Sequence, residues 1–242
     1  MTADDATRRS VAILAFHKIG EPPRGTWTTW NYVPTDVFSG FLNRIRDEGF
    51  QVLDLPTFLK GMQNPESLPL RSALITFDDG YASMLHEAEP VLSRFGYPSV
   101  LFVPTGYIGG INRFDAGNEP EEMICNREEL RELQNRGVSI QSHAVTHRSF
   151  SSLSDEDLET ELRDSKTVLE EHLNTTVDVI AFPFGDGGSD PDRTDAALEC
   201  AGYKAACLYK GGLSELNTTN RFRLPRLAMG PDSKLGKMLG TA

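Results

Sequence analysis

The sequence predicts an α/β fold in a single domain, with parallel strands and outer helices arranged as one sheet or barrel. Apolar, β-rich runs alternate with amphipathic helical patterns about seven times along the chain. The 242 residues suit one large domain, and no linker-like or low-complexity segment divides them. With 39% hydrophobic and 24% charged residues, the chain can bury a sizeable core.

Each predicted strand is a short apolar run rich in β-branched and aromatic residues, bounded by Gly, Pro or polar residues. Runs of this length are typical of strands that are buried between layers of helices. In chain order the predicted strands cover residues 11–17, 51–55, 72–79, 98–105, 138–143, 177–185 and 203–210.

The predicted helices carry apolar residues three and four positions apart, and several of them end at a Gly. Ser154 is expected to cap the longest helix, and Pro90 to kink the third. In chain order the helices cover residues 35–49, 56–62, 82–96, 126–137, 154–174 and 194–202. Residues 1–10 are expected to form an N-terminal tail, and residues 11–242 the domain.

The composition argues against several classes of function. The chain has 24 Lys and Arg against 35 Asp and Glu, a net charge of −11, which disfavours binding to nucleic acid or to anionic lipid. No segment reaches membrane-spanning length, so we expect no membrane insertion. The apolar run 11–16 is too short for a signal-peptide core, so we expect a cytoplasmic protein, or an extracellular one if a leader was removed. The three cysteines lack framework spacing, which favours small buried side chains over disulfides.

Ionisable residues stand where several of the predicted strands end. His17, the pair Asp78–Asp79 and His143 each close a strand, and His147 follows His143 by four residues. Because the carboxyl ends of parallel strands meet at one rim, we expect these side chains to lie together. Taken singly, the Asp pair also fits a solvated turn, and the His pair also fits two surface histidines.

Two imidazoles and a carboxylate are ligands that suit Zn²⁺ and similar divalent ions. Three protein ligands leave a coordination position for water, which is typical of a catalytic site. One carboxylate would bind the ion, and the other would accept a proton from a water whose pKa the ion lowers from near 16 toward about 7. The pattern predicts one divalent ion, Zn²⁺ first, with Co²⁺, Ni²⁺ and Fe²⁺ as alternatives because they share these ligands.

Three segments, TFDDGY (76–81), SHAVTH (142–147) and FPFG (182–185), occur in this order. Together they resemble the first three motifs of the polysaccharide deacetylases, the carbohydrate esterase family 4 or NodB homology domain. The flanking strands extend the resemblance over nearly the whole chain. It implies a distorted (β/α)₇ barrel. It also implies metal-dependent hydrolysis of the acetamide of an N-acetylated carbohydrate, such as a GlcNAc-containing polysaccharide or glycoconjugate, to acetate and a free amine.

The resemblance also implies roles for individual residues. Asp78 would be the catalytic base, and Asp79, His143 and His147 would be the metal ligands. The backbone N–H of Phe184, together with the metal, would stabilise the tetrahedral oxyanion.

Two departures from the family pattern affect the acid and the base. Ala181 stands where many members carry an Arg that orients the base, and no His follows His172, although many members have an acid His near the C-terminus. The chain resembles the branch that deacetylates poly-N-acetylglucosamine, in which the N-terminal strand supplies the acid, so His17 in AFHKIG is the expected acid. Arg226, in RFRLPR (221–226), is expected to replace the missing Arg, with a solvated basic stretch as the alternative.

Two other functions stay open from the sequence. The same barrel chemistry suits a small non-sugar amide or a cyclic ureide, and a non-catalytic carbohydrate-binding relative would share the fold. Trp27, Trp30 and Tyr32 follow His17 in a loop and are expected either to stack on a sugar ring or to anchor that loop.

Overall fold

The computed structural model describes residues 9–241, so residues 1–8 of the expected tail and residue 242 lie outside the described part. The strands are β1 (Ser10–Phe16), β2 (Lys18–Ile19), β3 (Tyr32–Val33), β4 (Gln51–Val52), β5 (Ser72–Phe77), β6 (Ser99–Val103), β7 (Val138–Ser142), β8 (Val179–Ala181), β9 (Ala205–Cys207), β10 (Ser214–Glu215) and β11 (Leu227–Ala228). The helices are α1 (Thr35–Asp47), α2 (Leu55–Gln63), α3 (Glu89–Phe95), α4 (Arg127–Asn135), α5 (Asp155–Leu173), α6 (Pro191–Cys200) and α7 (Leu235–Met238).

The main sheet is curled and mostly parallel. Its strand order is β10-β1-β5-β6-β7-β8-β9, and β1 and β5 to β9 all pair in parallel. Residues 224–228, called here the closing segment, join the two ends of the sheet. Leu224 bridges Cys207 at the end of β9, and β11 pairs in parallel with β1. The predicted α/β barrel in one domain is therefore confirmed, with an irregular seam in place of a last full strand.

Side-chain alternation along the strands separates an inner core from an outer one. In β1, Val11 and Ile13 pack in the inner cluster, whereas Leu14 and Phe16 pack outward. The outward Phe16 ring meets Phe38 of α1 edge-on at 5.1 Å. The two-residue alternation of β5 continues past the end of the strand. It therefore points the Asp78 side chain toward the inside of the barrel, which determines the residues that this carboxylate contacts.

Several predicted elements are shorter or less regular than expected. The strands expected at 177–185 and 203–210 are regular only at Val179–Ala181 and Ala205–Cys207. Residues Pro183–Gly185 form a 3₁₀ turn that begins at a proline, which has no N–H for a strand ladder.

Two other elements depart from the prediction for a clear local reason. The strand expected at 51–55 stops at Val52 because the Asp54 side chain caps α2, accepting from the Thr57 N–H at 2.8 Å. The single helix expected at 82–96 begins as a π-helical turn, Met84–Ala88, and becomes α-helical just before Pro90. Ser154 caps α5 as predicted.

Two expectations from composition have clear outcomes. All three cysteines are free, with Cys125 and Cys207 buried, while Cys200 is exposed and departs from the expected burial. Among the helices of residues 9–241, none has the length and apolarity that a bilayer crossing requires.

Candidate active site

The strand ends bring the predicted residues to one cavity of about 240 Å³. Six of the seven residues singled out from the sequence line it: His17, Asp78, Asp79, His143, His147 and Phe184. The seventh, Arg226, is fully buried beneath Asp78. Parallel topology accounts for this convergence, since β1, β5, β7 and β8 all end at the same rim.

Asp79, His143 and His147 form a group that can hold a metal ion. Their candidate ligand atoms lie within 4.8 Å of one another, and all three residues are buried. Both imidazole Nε2 atoms lie close to Asp79 Oδ1, at 3.2 Å for His143 and 3.1 Å for His147. That oxygen nonetheless has no well-formed hydrogen bond from any residue in 9–241. A buried acceptor without a bond, facing two imidazole nitrogens, fits a divalent cation at their shared focus.

The surrounding charges keep Asp79 ionised. Burial alone would raise the pKa of Asp79, but His143 and His147 outweigh burial and hold the pKa well below its usual range. A ligand carboxylate must be charged to bind a cation, so the site is prepared for one.

The orientation of His143 is set by the main chain. Its Nδ1 lies 2.7 Å from the carbonyl oxygen of Ala181 and donates a proton to it, which leaves Nε2 free to act as a ligand. Ala181 is the position where the family Arg is missing, and here it contributes through its backbone. Sequence patterns carry no signal for such a main-chain contact.

Backbone strain is concentrated at this rim. Within residues 9–241, five non-glycine residues have positive φ, and four of them are Asp79, Ala144, His147 and Phe184. Non-glycine residues rarely adopt this conformation, and where they do the surrounding structure holds them there. Three of these four residues, Asp79, His147 and Phe184, line the cavity, so the strained backbone coincides with the candidate site.

Asp78 is held by a guanidinium group. Arg226 Nη1 donates to Asp78 Oδ1 at 2.8 Å and Nη2 donates to Oδ2 at 2.7 Å, a bidentate pair. Arg226 Nε also donates to the Leu208 carbonyl oxygen, and Nη1 to the Thr76 hydroxyl. Burial alone would raise the pKa of Asp78, but Arg226 outweighs it and lowers that pKa. Arg226 thus lies where the sequence predicted the substitute for the missing Arg, whereas Arg221 is exposed and pairs with Glu199.

His17 lies next to the group that can hold a metal. Its Nε2 is 3.8 Å from Asp79 Oδ2, and its ring meets the Tyr209 ring edge-on at 5.1 Å. Burial lowers the pKa of His17, although Asp79 and Asp78 act in the other direction. The imidazole is therefore within reach of the cavity without belonging to the group that can hold a metal.

Aromatic rings enclose His147. Phe114 stacks on it at 4.2 Å, and Phe184 meets it edge-on at 4.7 Å. The Phe184 side chain is 61% exposed, so it forms part of the rim of the cavity. The role of its backbone N–H in oxyanion binding stays a prediction.

The three aromatic residues in the loop after His17 were expected either to stack on a sugar ring or to anchor the loop, and the structure separates them. Tyr32 is buried and its ring faces Lys18 Nζ at 4.7 Å, so it cannot stack on a sugar. Trp30 donates from Nε1 to Asp232 at 2.7 Å and packs over Gly230, which anchors the loop. Trp27 is half exposed, and neither Trp lines the cavity.

Glu161 of α5 supports the His147 loop and was not predicted. Its Oε2 accepts hydrogen bonds from the Val145 N–H at 2.6 Å and the Thr146 N–H at 2.9 Å, and its Oε1 accepts from the Thr146 hydroxyl. The carboxylate is buried, so these bonds fix the turn between the two histidines. The sequence feature that could have identified this residue is a Glu among the apolar positions of an amphipathic helix.

Replacing Glu161 by Gln should weaken metal binding by about 10–100-fold, as is typical for partners of metal ligands. Gln keeps one oxygen for the two loop N–H groups, but it loses the negative charge that strengthens those bonds and faces the Thr146 hydroxyl with a donor, which loosens the position of His147. A titration with Zn²⁺ against a competing chelator measures the change. Glu159→Gln is the matched control, since Glu159 is exposed on the same helix and pairs with Arg163 rather than with the loop N–H groups that Glu161 binds. Equal affinities in the two variants would contradict the role of Glu161.

The fold and the site bring two carboxylates and a group that can hold a metal to the open end of a curled α/β barrel, an arrangement typical of metal-dependent hydrolases. Residues 66–206 match the polysaccharide deacetylase family, and the chain belongs to that family. It is therefore a deacetylase-type hydrolase acting on C–N bonds.

Individual relatives agree with this assignment. A Bacillus subtilis (strain 168) protein named as a polysaccharide deacetylase, YxkH, is 26% identical over 200 residues, covering 82% of this chain and 66% of that protein. The poly-β-1,6-N-acetyl-D-glucosamine N-deacetylase of Staphylococcus aureus (strain MRSA252) is 24% identical over 84% of this chain and 70% of that protein. The chain thus spans about two thirds of the length of the curated relatives it matches.

Solved structures share the fold. Streptococcus pyogenes deacetylase PplD, in complex with acetate, superposes with a TM-score of 0.82 at 24% identity, covering 97% of this chain and 99% of that one. IcaB from Ammonifex degensii superposes with a TM-score of 0.81 at 19% identity, covering 97% and 98%. Both cover nearly the whole length of this chain, so the curled α/β barrel fold is shared.

Proposed function

We propose that this chain removes acetyl groups from an N-acetylglucosamine polymer, releasing acetate and leaving free amines. The observation that carries the proposal is the placement of two adjacent carboxylates in different environments. Asp78 is paired with Arg226, whereas Asp79 faces His143 and His147. The name of the Staphylococcus aureus relative supports β-1,6-linked N-acetylglucosamine as the first substrate to test.

Asp79, His143 and His147 would hold the cation, with Zn²⁺ proposed first and Co²⁺, Ni²⁺ or Fe²⁺ as alternatives. When bound, the cation polarises the acetamide carbonyl and lowers the pKa of the attacking water. The protein contributes a rigid, buried ligand set on strained backbone, which favours one coordination geometry over others.

Asp78 acts as the base in this proposal. Its pKa is lowered by Arg226, so it is ionised at neutral pH and can accept a proton from the water that attacks the amide carbon. The bidentate pair fixes both carboxylate oxygens, so the proton is taken at a defined point. An aligned base costs less reorganisation in the transition state than a mobile one.

His17 acts as the acid. The C–N bond breaks as protonated His17 donates its proton to the departing nitrogen, because an amide anion is a very poor leaving group. The lowered pKa of His17 makes its protonated form a stronger proton donor. The products are acetic acid and the amine, and the acid ionises to acetate as the amine takes up its proton. The proton gained by Asp78 replaces the one lost from His17 when the site resets. Phe184 supplies the proposed N–H for the oxyanion.

The proposal is tested by acetate release from β-1,6-linked N-acetylglucosamine oligomers. We expect release by Zn²⁺-loaded protein, loss after chelation, and recovery when the metal is returned. Release that is indifferent to chelator would remove the metal from the reaction. Release only from small non-sugar amides would favour the alternative substrate class.

His17→Asn should reduce acetamide hydrolysis by about 10²–10⁴-fold but reduce hydrolysis of a nitrophenyl acetate ester far less. The ester leaving group is stable without a proton, so only the amide reaction needs the acid. The two kcat/KM values, measured on one protein preparation, give the comparison. Equal losses on both substrates would refute His17 as the acid.

A further inference from the structure

Two polar residues that the proposed chemistry leaves unused, Asn31 and Asp115, line the same cavity as the catalytic groups. Asn31 follows the long loop after β2, and Asp115 lies in the loop between β6 and α4. Neither belongs to the motifs that carry the family resemblance.

The Asn31 amide is oriented by a buried ion pair. Its Nδ2 donates to Glu119 Oε1 at 2.8 Å, and Glu119 Oε2 accepts from Lys18 Nζ at 2.7 Å and from the Thr29 hydroxyl at 2.6 Å. A carboxylate can only accept hydrogen bonds, so the amide nitrogen must face Glu119 and the amide oxygen must face away. Within residues 9–241 no group donates a hydrogen bond to that oxygen.

The same ion pair is held rigidly. Lys18 is fully buried, and its Nζ lies over the rings of Tyr32 and Tyr81 at 4.7 and 4.6 Å. A buried pair with further hydrogen bonds and aromatic walls has little freedom to rearrange. Asn31 is therefore presented in one orientation.

Asp115 is fixed by the same turn that places Glu119. The Glu119 N–H donates to the Asp115 carbonyl oxygen at 3.0 Å, so the two acidic side chains are set by one piece of backbone. No residue in the described part of the chain donates a hydrogen bond to the Asp115 carboxylate. It is half-buried, yet it keeps its acceptor capacity for something in the cavity.

We infer that Asn31 and Asp115 form an acceptor wall that binds hydroxyl groups of the sugar ring bearing the acetamide. Together they offer oxygen acceptors without a competing donor, and sugar hydroxyls are neutral donors that match such a wall. A ligand lacking hydroxyls would leave these acceptors unpaired, which gives the site discrimination against simple amides. This inference rests on the proposed function.

The test measures binding without turnover. Zn²⁺-loaded Asp78→Asn protein is titrated by NMR with methyl N-acetylglucosaminide and with its 3-, 4- and 6-deoxy forms. Adding Asn31→Ala should raise Kd for the parent ligand by about 3–10-fold, and adding Asp115→Ala by about 10–100-fold, as expected for neutral and charged hydrogen bonds. At least one deoxy ligand should bind the Asp78→Asn protein more weakly by the same factor, with no further loss in the matching variant.

Asn118→Ala is the control, because Asn118 is exposed in the same loop and its side chain makes no described hydrogen bond. Unchanged Kd values, losses equal for every ligand, or no binding of any of these sugars would overturn the inference. Acetate release by the unaltered protein tests the proposed function separately, so failure of one is distinguishable from failure of the other.

Discussion

Replacing Asp78 by Asn should lower kcat for acetate release by about 10²–10⁴-fold while the protein keeps its metal. Asn cannot accept the proton of the attacking water, so the base is lost. Asp79 and its two imidazoles do not depend on the charge of Asp78 to converge. We expect His143→Ala to lose its metal, because it removes one of the three proposed ligands. The loss of metal affinity should exceed the roughly 10–100-fold that is typical when a residue supporting a ligand is replaced.

The two variants are compared by metal content after dialysis and by acetate release with Zn²⁺ in excess. Asp78→Asn should contain metal and stay inactive at any Zn²⁺ concentration. His143→Ala should be purified without metal. Circular dichroism checks that both are folded, since Asn opposite Arg226 replaces one accepted hydrogen bond by two facing donors. If the two variants behave alike, the division of labour between Asp78 and Asp79 is wrong.

Replacing Arg226 by Met should lower the free energy of unfolding at pH 7 by about 3–5 kcal/mol, the usual cost of stranding one member of a buried ion pair. Both side chains are essentially inaccessible to solvent, so water cannot screen the remaining carboxylate. Acetate release should also fall by about 10²-fold or more, because the proposed base loses the bidentate pair that orients it.

The pH dependence of this loss has a definite sign. In the unaltered protein the native pKa of Asp78 is below its unfolded value, so its contribution to stability is present above the unfolded pKa and disappears as the pH falls through the native pKa. In Arg226→Met, the guanidinium charge no longer opposes the effect of burial, so burial raises the native pKa of Asp78. The stability difference between the two proteins should therefore shrink as the pH is lowered from 7 toward 4, where the variant's carboxyl becomes neutral.

Urea denaturation at several pH values measures both effects. Arg221→Met is the matched control, since Arg221 is exposed, and it should change the free energy of unfolding by no more than about 0.5 kcal/mol. The double variant Asp78→Asn with Arg226→Met should regain much of the lost stability, because no charge is left unpaired. A double variant as unstable as Arg226→Met alone would show that packing, and not charge, accounts for the loss.

The rim of the barrel was largely predictable because strand ends are easy to read. Buried apolar runs identify the strands, and parallel topology brings their carboxyl ends together, so His17, Asp78, Asp79 and His143 could be placed at one edge before any coordinates. Among the three arginines of segment 221–226, Arg226 is favoured in the sequence only because it follows Pro225, and no periodic pattern separates the three. The structure selects it by two-residue alternation, which turns Arg226 inward together with Leu224.

The walls of the cavity could not be predicted in the same way. Asn31 reaches its position through a hydrogen bond to Glu119, 88 residues away, and Asp115 through an irregular loop. Such contacts depend on how two long loops pack, and neither has a periodic pattern. Tyr209 is the exception, since it follows β9 and the strand-end argument, applied once more, would have included it.

The closing segment has a consequence for how activity arises during synthesis. Arg226 lies 148 residues after the carboxylate it orients, so that partner stays inside the ribosome while the first three motifs are already outside. A nascent chain, or one cleaved before the closing segment, would contain all three motifs. It would still lack both the segment that joins the two ends of the sheet and the positive charge of Arg226 beside Asp78. Asp78 therefore gains its counter-charge only after the closing segment has been synthesised and has joined the sheet.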